Sequence, residues 1–83
     1  RSRFRAARRA GDHRKALELG EELLLRMPDD LSTLMEMSDS ADELNLPHLA
    51  IWFLEDARLV HPRDAGLIKS LAALFERHKR YNQ

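Results

Sequence analysis

The sequence predicts an all-α domain of about five helices, built as tandem helix–turn–helix repeats. Its 83 residues include only three glycines and three prolines and are rich in Leu, Ala, Glu and Arg, which favour helices. Few segments alternate apolar and polar residues with the period of two that is typical of a strand, so no strand is predicted. The sequence also resembles itself when it is shifted by 34 residues, and the residues that end and begin helices recur at that spacing.

The 34-residue shift is informative because of where its matches fall. Six of the 49 aligned pairs are identical. Prolines and small residues coincide at the positions where a helix–turn–helix unit needs a helix stop or a close contact. The six pairs are Ala7 with Ala41, Ala16 with Ala50, Glu21 with Glu55, Leu25 with Leu59, Pro28 with Pro62, and Asp30 with Asp64.

The first two helices are predicted over residues 2–10 and 13–27. Gly11 between them suits the left-handed conformation that commonly ends a helix. Asp12 is a good cap for the helix that follows. Pro28 cannot continue a helix, so the second helix ends before it.

The same turn residues recur one repeat later. Asp30 is placed to cap a helix over 31–44, and Asn45 is the next best residue for a left-handed turn. Pro47 suits the first turn of a helix over 47–60, where its missing N–H costs nothing. The last boundary consists of Pro62, the capping residue Asp64 and a helix over 64–79.

Small residues indicate where these helices approach one another closely. Two antiparallel helices pack tightly only where one side chain is short, so Ala16, Ala50, Ala57 and Ala72 are predicted at close helix contacts. The helix over 47–60 is apolar on nearly all sides of its middle, which indicates neighbours on several faces. We therefore expect one domain over 1–83, a fragment of a longer array, with a partial repeat at 1–30, a full repeat at 31–64 and a partial repeat at 65–83.

These residues resemble the tetratricopeptide repeat (TPR), whose first helix carries a bulky–Leu–small–Tyr series and whose second carries Ala, an aromatic and Ala before a Pro. The segment from Gly11 to Glu18, with Leu23 and then 27–30, looks like the second half of such a repeat. The full repeat matches at Leu34, Met37, Ser38, Ala41, Ala50, Leu54, Ala57 and Pro62, and the partial repeat at Ile68, Leu71, Ala72, Phe75 and Tyr81. Three positions depart from the pattern, namely Phe4, Gly20 and Leu23.

The resemblance implies a right-handed superhelical stack, a TPR-like α-solenoid, whose first helices form a concave surface. In this family that surface holds a peptide or helix of a partner protein. Carried over by position, it implies a protein–protein interaction scaffold without enzymatic activity, catalytic residues, metal or cofactor. The candidate groove residues are Arg5, Arg8, Arg9, Met35, Glu36, Asp39, Asp42, Glu43, Lys69, Ala73, Glu76 and Arg77.

The charges are sorted along the chain although the formal net charge is zero. Residues 1–15 hold seven basic side chains and one acid, residues 16–44 hold nine acids and one Arg, and residues 63–83 hold five basic side chains and two acids. The middle of the groove is therefore predicted to be negative and its ends positive. We expect a partner segment with basic and apolar residues.

Two other classes of function stay open. The Arg-rich start of the chain is a candidate nucleic-acid patch, although only Phe4 interleaves there as a stacking aromatic and no recognition motif is present. The chain is also compatible with a regulatory domain of a larger enzyme. The carboxylates on the helix 31–44 are expected to be a solvated or partner-contacting face, because nothing in the sequence indicates a catalytic pocket.

The absence of cysteine and of a long apolar run indicates a cytoplasmic protein without a membrane span. His13, His48, His61 and His78 show no metal-binding spacing and are assigned to turns and the surface. Trp52 is interpreted as half-buried, with an outer contact site as the alternative. The apolar residues of the last helix predict either a further repeat of the array or self-association to a homo-oligomer through this end. The candidates for self-association are Leu67, Leu71, Leu74 and Phe75.

Overall fold

The computed structural model describes residues 2–79, which form five α-helices and no strand. The helices are α1 (Ser2–Arg9), α2 (His13–Arg26), α3 (Leu31–Glu43), α4 (Pro47–Val60) and α5 (Ala65–Lys79). The predicted all-α class is confirmed, and each predicted helix agrees with the structure to within one residue at either end. Tyr81, which the sequence comparison matched to the TPR pattern, lies outside the described residues.

Two left-handed residues, 34 positions apart, end α1 and α3 in the same way. Gly11 has φ of +78° and Asn45 has φ of +61°, as their residue types predicted. In both turns the amide that follows the left-handed residue donates to a carbonyl five residues earlier, at 2.9 Å. This bond satisfies a carbonyl that the helix end leaves free. The repeat seen in the sequence is therefore also a repeat of turn geometry.

Side-chain caps begin three of the helices, as predicted. Asp12, Asp30 and Asp64 each accept a hydrogen bond from the backbone amide three residues further on, at 3.2, 3.2 and 2.8 Å. Helix α4 begins instead with Pro47 in its first turn, without a side-chain cap. Proline needs no partner there because it has no N–H to satisfy.

Each helix packs against the next one along the chain, so α3 and α4 are at the centre of the array. The Cα atoms span 37 × 27 × 16 Å, which makes the molecule a flattened slab. A single hydrophobic core runs through all five helices. It consists of Phe4, Ala7, Ala16, Leu34, Met37, Ala41, Ala50, Phe53, Leu54, Ala57, Leu67, Leu71 and Leu74.

The prediction of small residues at close contacts is correct for three of the four positions. Ala16, Ala50 and Ala57 are fully buried, and the Ser38 hydroxyl donates to the carbonyl oxygen of Ala50 at 2.8 Å, which draws α3 against α4. The prediction is wrong for Ala72, which is exposed. Ala72 lies on a side of α5 that is open to solvent in the described part of the chain.

Gly20 allows α2 to approach α3. A Cβ atom at Gly20 would lie 2.6 Å from the Sδ atom and 2.8 Å from the Cγ atom of Met37, closer than van der Waals contact allows. Met37 is fully buried and occupies this space. The side chain that Gly20 lacks is thus replaced by one from the neighbouring helix.

Candidate functional site

The groove residues predicted from the sequence lie on α1, α3 and α5, and side chains from both outer helices reach α3. Arg8 of α1 contacts α3 from one side. Arg77 and His78 of α5 contact it from the other. Asp39 is the meeting point, because it lies beside Arg8 and also lines a cleft with Arg77. The three helices therefore share one face, on which α3 is central.

Arg8 connects α1 to α3 through a small polar network. Its Nη1 atom donates to the backbone oxygen of Glu36 and to the hydroxyl of Ser40, both at 2.7 Å. Its Nη2 atom lies 3.6 Å from the carboxylate of Asp39. Ser40 is fully buried, and its hydroxyl also lies 3.0 Å from Nδ1 of His13. Arg8 is thereby held in place by hydrogen bonds rather than free to swing towards a ligand.

Asp42 connects α3 to α5. Its two carboxylate oxygens lie 2.9 Å from Nη1 of Arg77 and 2.8 Å from Nε2 of His78. Only 15% of its side chain is exposed. Asp42 was predicted to add negative charge to the groove, but Arg77 of α5 neutralises it. Asp42 serves to hold α5 against α3.

A cleft of about 140 Å³ separates α3 from α5. Leu54 and Leu74 are buried beneath it, and Asp39 and Arg77 stand at its rim. Ala73 and Met35, both candidate groove residues, line it. Lys69 and Glu76, which were predicted to join them, are exposed but are not among the residues that line this cleft.

A second, wider cleft of about 290 Å³ lies between α1 and α3. Arg5, Arg8 and Arg9 line it from α1 and Glu36 lines it from α3, and all four are among the candidate groove residues. This end of the surface is basic.

The environment of Asp39 disfavours its charged form. Burial raises the pKa of the Asp39 carboxyl above its ordinary value, the nearby guanidinium of Arg8 opposes the rise, and Asp42 adds to it. Arg77 lowers and Glu43 raises this pKa by weaker effects. Two other acids of the face, Glu36 and Glu43, make no ion pair within residues 2–79. The negative charge that α3 offers to a ligand thus comes from Glu36, Asp39 and Glu43.

The residues proposed for self-association need a correction. Leu67, Leu71 and Leu74 are buried in the core of this chain, where they pack α5 onto the array. They are not accessible to a second molecule. Phe75 is 53% exposed and Ile68 is 48% exposed, so the accessible apolar side of α5 is the one that carries these two residues.

Sequence reasoning missed the polar contacts that join the helices. Ser40 has no local signal, because its partners His13 and Arg8 are 27 and 32 residues away. Three of the four histidines, assigned to turns and surface, connect separate elements: His13, His78, and His61, whose Nε2 lies 3.1 Å from the backbone oxygen of Asp29. The sequence signal that could indicate such contacts is an Arg or His near one end of a helix, but it does not identify the partner residue.

Trp52 is exposed rather than half-buried. Its side chain is 59% accessible, and its ring meets the ring of Phe53 edge to face with centroids 5.4 Å apart. The outer surface of α4 therefore presents the single tryptophan of the chain to solvent.

Comparison with other proteins identified no matching family model, no matching curated protein and no matching solved structure. Among residues 2–79, no group of three or more His, Asp or Glu side chains could hold a metal ion. None of the helices in this part of the chain is both long and apolar enough to cross a bilayer.

Proposed function

We propose that this chain is a protein–protein interaction module of the TPR type. In this proposal α1, α3 and α5 are the first helices of successive repeats and form the concave side of a right-handed superhelical stack. That side holds a peptide or a helix of a partner protein. The observation that carries the proposal is the position of α3, which lies between α1 and α5 with a cleft on each side.

The chemistry of the face favours a ligand with basic and apolar groups. The α3–α5 cleft offers Met35 and Ala73 as accessible apolar contacts, and Met adapts its shape readily. Asp39 supplies an acid at the rim of this cleft, and Glu43 lies one turn further along α3. Asp42 contributes little to ligand charge because α5 already neutralises it. Complementary charge of this kind governs association rate and selectivity more than affinity.

A pair of designed peptides tests this function. One is an amphipathic peptide of Lys and Leu, the other has Glu in place of Lys, and each carries a fluorescent label for anisotropy titration at low and physiological salt. We expect the Lys peptide to bind and the Glu peptide to bind at least about tenfold more weakly. The difference should shrink at the higher salt, because exposed charges are screened.

Charge reversal locates the binding surface. The variant Asp39→Lys/Glu43→Lys should lose at least about tenfold in affinity for the Lys peptide at low salt. The matched control is Glu21→Lys/Glu22→Lys, which makes the same change of net charge on the exposed side of α2. Equal losses in both variants would show attraction by overall charge alone. Unchanged affinity of the α3 variant at both salts would refute the groove assignment.

The basic cleft favours one alternative, nucleic-acid binding. Arg5 and Arg9 are exposed and line this cleft with Arg8. A nucleic-acid function predicts that a single-stranded oligonucleotide binds with an affinity that falls steeply as salt is added. That affinity should be lost in Arg5→Glu/Arg9→Glu, whereas peptide binding in the α3–α5 cleft should persist in this variant.

A further inference from the structure

The exposed side of α5 carries a stripe of apolar and small side chains. Ile68, Ala72 and Phe75 follow one another at steps of four and three residues, which places them on one side of the helix. All three are exposed, and Ile68 and Phe75 are about half accessible. The buried residues Leu67, Leu71 and Leu74 lie on a different side. Helix α5 thus has two apolar sides, and only one of them is covered.

The internal repeat shows what such a side is shaped to contact. The residues of α3 that precede Ile68, Ala72 and Phe75 by 34 positions are Leu34, Ser38 and Ala41. All of these are buried, and the Ser38 hydroxyl donates to the backbone of α4. The equivalent side of α3 therefore receives a helix. By its position in the repeat, the exposed side of α5 has the form of a helix-binding surface.

The charged residues beside the stripe are complementary to the same residues of a second copy. Lys69 follows Ile68 and Glu76 follows Phe75, so the two charges border the same edge of the stripe, seven residues apart. If two copies of α5 pair in antiparallel orientation, Lys69 of each copy faces Glu76 of the other. In a parallel pair the charged edges of the two copies would lie on opposite flanks of the contact, so Lys69 and Glu76 could not pair.

We propose that α5 binds α5 of a second copy of this chain as an antiparallel, two-fold symmetric helix pair centred near Ala72. Ile68 and Phe75 make the apolar contacts, and the small side chain of Ala72 allows close approach of the two helices. Two Lys69–Glu76 pairs close the contact at both ends, as expected for a symmetric interface. This inference goes beyond the proposed function. The α3–α5 cleft is lined by Ala73 and Arg77, which lie on another side of α5, so the dimer contact does not cover it.

The contact is expected to be weak. One helix face buries less than the roughly 1,200 Å² of a stable interface, so a dissociation constant on the order of 100 µM is expected. Sedimentation equilibrium over a concentration series should show monomers passing to dimers in this range. A strict monomer up to about ten times that concentration would overturn the proposal.

Two substitutions test the apolar part of the contact. Phe75→Gln should weaken dimerisation at least about tenfold, since Phe75 is the largest exposed side chain of the stripe. The matched control is Leu59→Gln on α4, where Leu59 is 83% exposed and lies outside the stripe. The control should dimerise as the unchanged chain does. Equal loss in both variants would indicate general hydrophobic association and contradict the proposal.

Charge exchange tests the antiparallel orientation. Lys69→Glu alone and Glu76→Lys alone should each weaken the dimer roughly tenfold, because like charges then face each other at both ends. The double variant Lys69→Glu/Glu76→Lys should restore dimerisation. Failure of the double variant to recover, with circular dichroism showing intact helices, would refute the antiparallel pairing. The Phe75→Gln variant should still bind the Lys peptide, which separates this proposal from the proposed function.

Discussion

The α1–α2 pair and the α3–α4 pair are equivalent by the 34-residue repeat, yet they pack differently. In the central pair the small residue Ser38 faces α4, and its hydroxyl reaches the backbone of Ala50. At the equivalent position α1 has Phe4, which is buried but lines a cleft of about 170 Å³ together with Leu19 and Leu23 of α2. A small side chain between two helices thus lets them close on each other, whereas a bulky one at the same position borders a gap.

A second difference concerns the bulk that the later helix of each pair supplies. Helix α4 has Leu54, which is buried at the centre of the core, where α2 has Gly20. In α4 the side chain of Leu54 itself occupies the core at this position. In α2 the space beside Gly20 is occupied by Met37 of α3. The space beside this position of the repeat is thus filled in both pairs, by residues of different helices.

The largest effect that tests this comparison is expected at Leu54. Leu54→Ala should lower the free energy of unfolding by about 2–5 kcal/mol, because it removes a fully surrounded side chain and leaves a cavity. Leu19→Ala should cost clearly less, since Leu19 is only partly buried and borders a cleft that is already open. Urea unfolding of both variants is the measurement. As a control, Leu25→Ala at an 86% exposed position should change stability by less than about 0.5 kcal/mol. Equal costs at Leu54 and Leu19 would contradict the looser packing around Leu19.

The next effect concerns the close contact in the central pair. Ala50→Leu should lower the free energy of unfolding by about 1–3 kcal/mol, because Ala50 is fully buried and a larger side chain would overpack the core. Ala10→Leu, at an exposed position beyond α1, is the matched control and should change stability little. An unchanged urea midpoint and slope for Ala50→Leu would contradict the close contact.

A smaller effect is expected at Gly20, where Gly20→Ala should change the free energy of unfolding in opposite directions with and without the Met37 side chain. Alanine is favoured over glycine in a helix by about 1 kcal/mol, but its Cβ atom would collide with Met37. Gly20→Ala should therefore be slightly destabilising in the natural sequence. In a Met37→Ala background the same substitution should raise the free energy of unfolding by about 0.5–1 kcal/mol, since the collision is removed. A double-mutant cycle measured by urea unfolding tests this, and equal effects in both backgrounds would contradict the packing of Met37 on Gly20.

The smallest effect concerns two acids of α3 with opposite roles. Asp42 is paired with α5, whereas burial raises the pKa of the Asp39 carboxyl. The folded state therefore binds the Asp39 proton more tightly than the unfolded state does. The stabilisation that this proton gives to the folded state is lost as pH rises through the folded pKa. Asp39→Asn should be more stable than the natural chain near neutral pH, and equally stable where Asp39 is protonated in both states. The gain should be only a few tenths of a kcal/mol, because the side chain is 73% exposed and water screens it.

The pH test includes a contrasting variant on the same helix. Asp42→Asn should lower stability at neutral pH, because it removes the charge that holds Arg77 and His78. Thermal unfolding of both variants at neutral and at acidic pH measures the difference. A loss of stability for Asp39→Asn at neutral pH would show that its attraction to Arg8 outweighs burial.

The limits of the five helices could be predicted because local chemistry determines them. A left-handed turn needs Gly or Asn, and Gly11 and Asn45 are found at those turns. A helix start needs a short acceptor, and Asp12, Asp30 and Asp64 provide one. These preferences act over a few residues, so neighbouring helices do not alter them.

The candidate site was predictable only as a set of helices. The clefts beside α3 contain the predicted Arg8, Asp39 and Ala73. Which acids keep their charge was not predictable, because Asp42 pairs with Arg77 and His78 more than 30 residues away. Position in a repeat indicates which helix a side chain is on, but not which partner reaches it.

Local preferences in the sequence were thus sufficient for the helices, their caps and the 34-residue period. Tertiary structure alone decided which of the two apolar sides of α5 is buried, so that Leu71 is covered and Ala72 is not. It also decided that Met37 fills the space beside Gly20 and that Ser40 is buried between α1 and α3. The physical reason is that burial, close contact and ion pairing depend on which helix lies alongside, and that neighbour is distant along the chain.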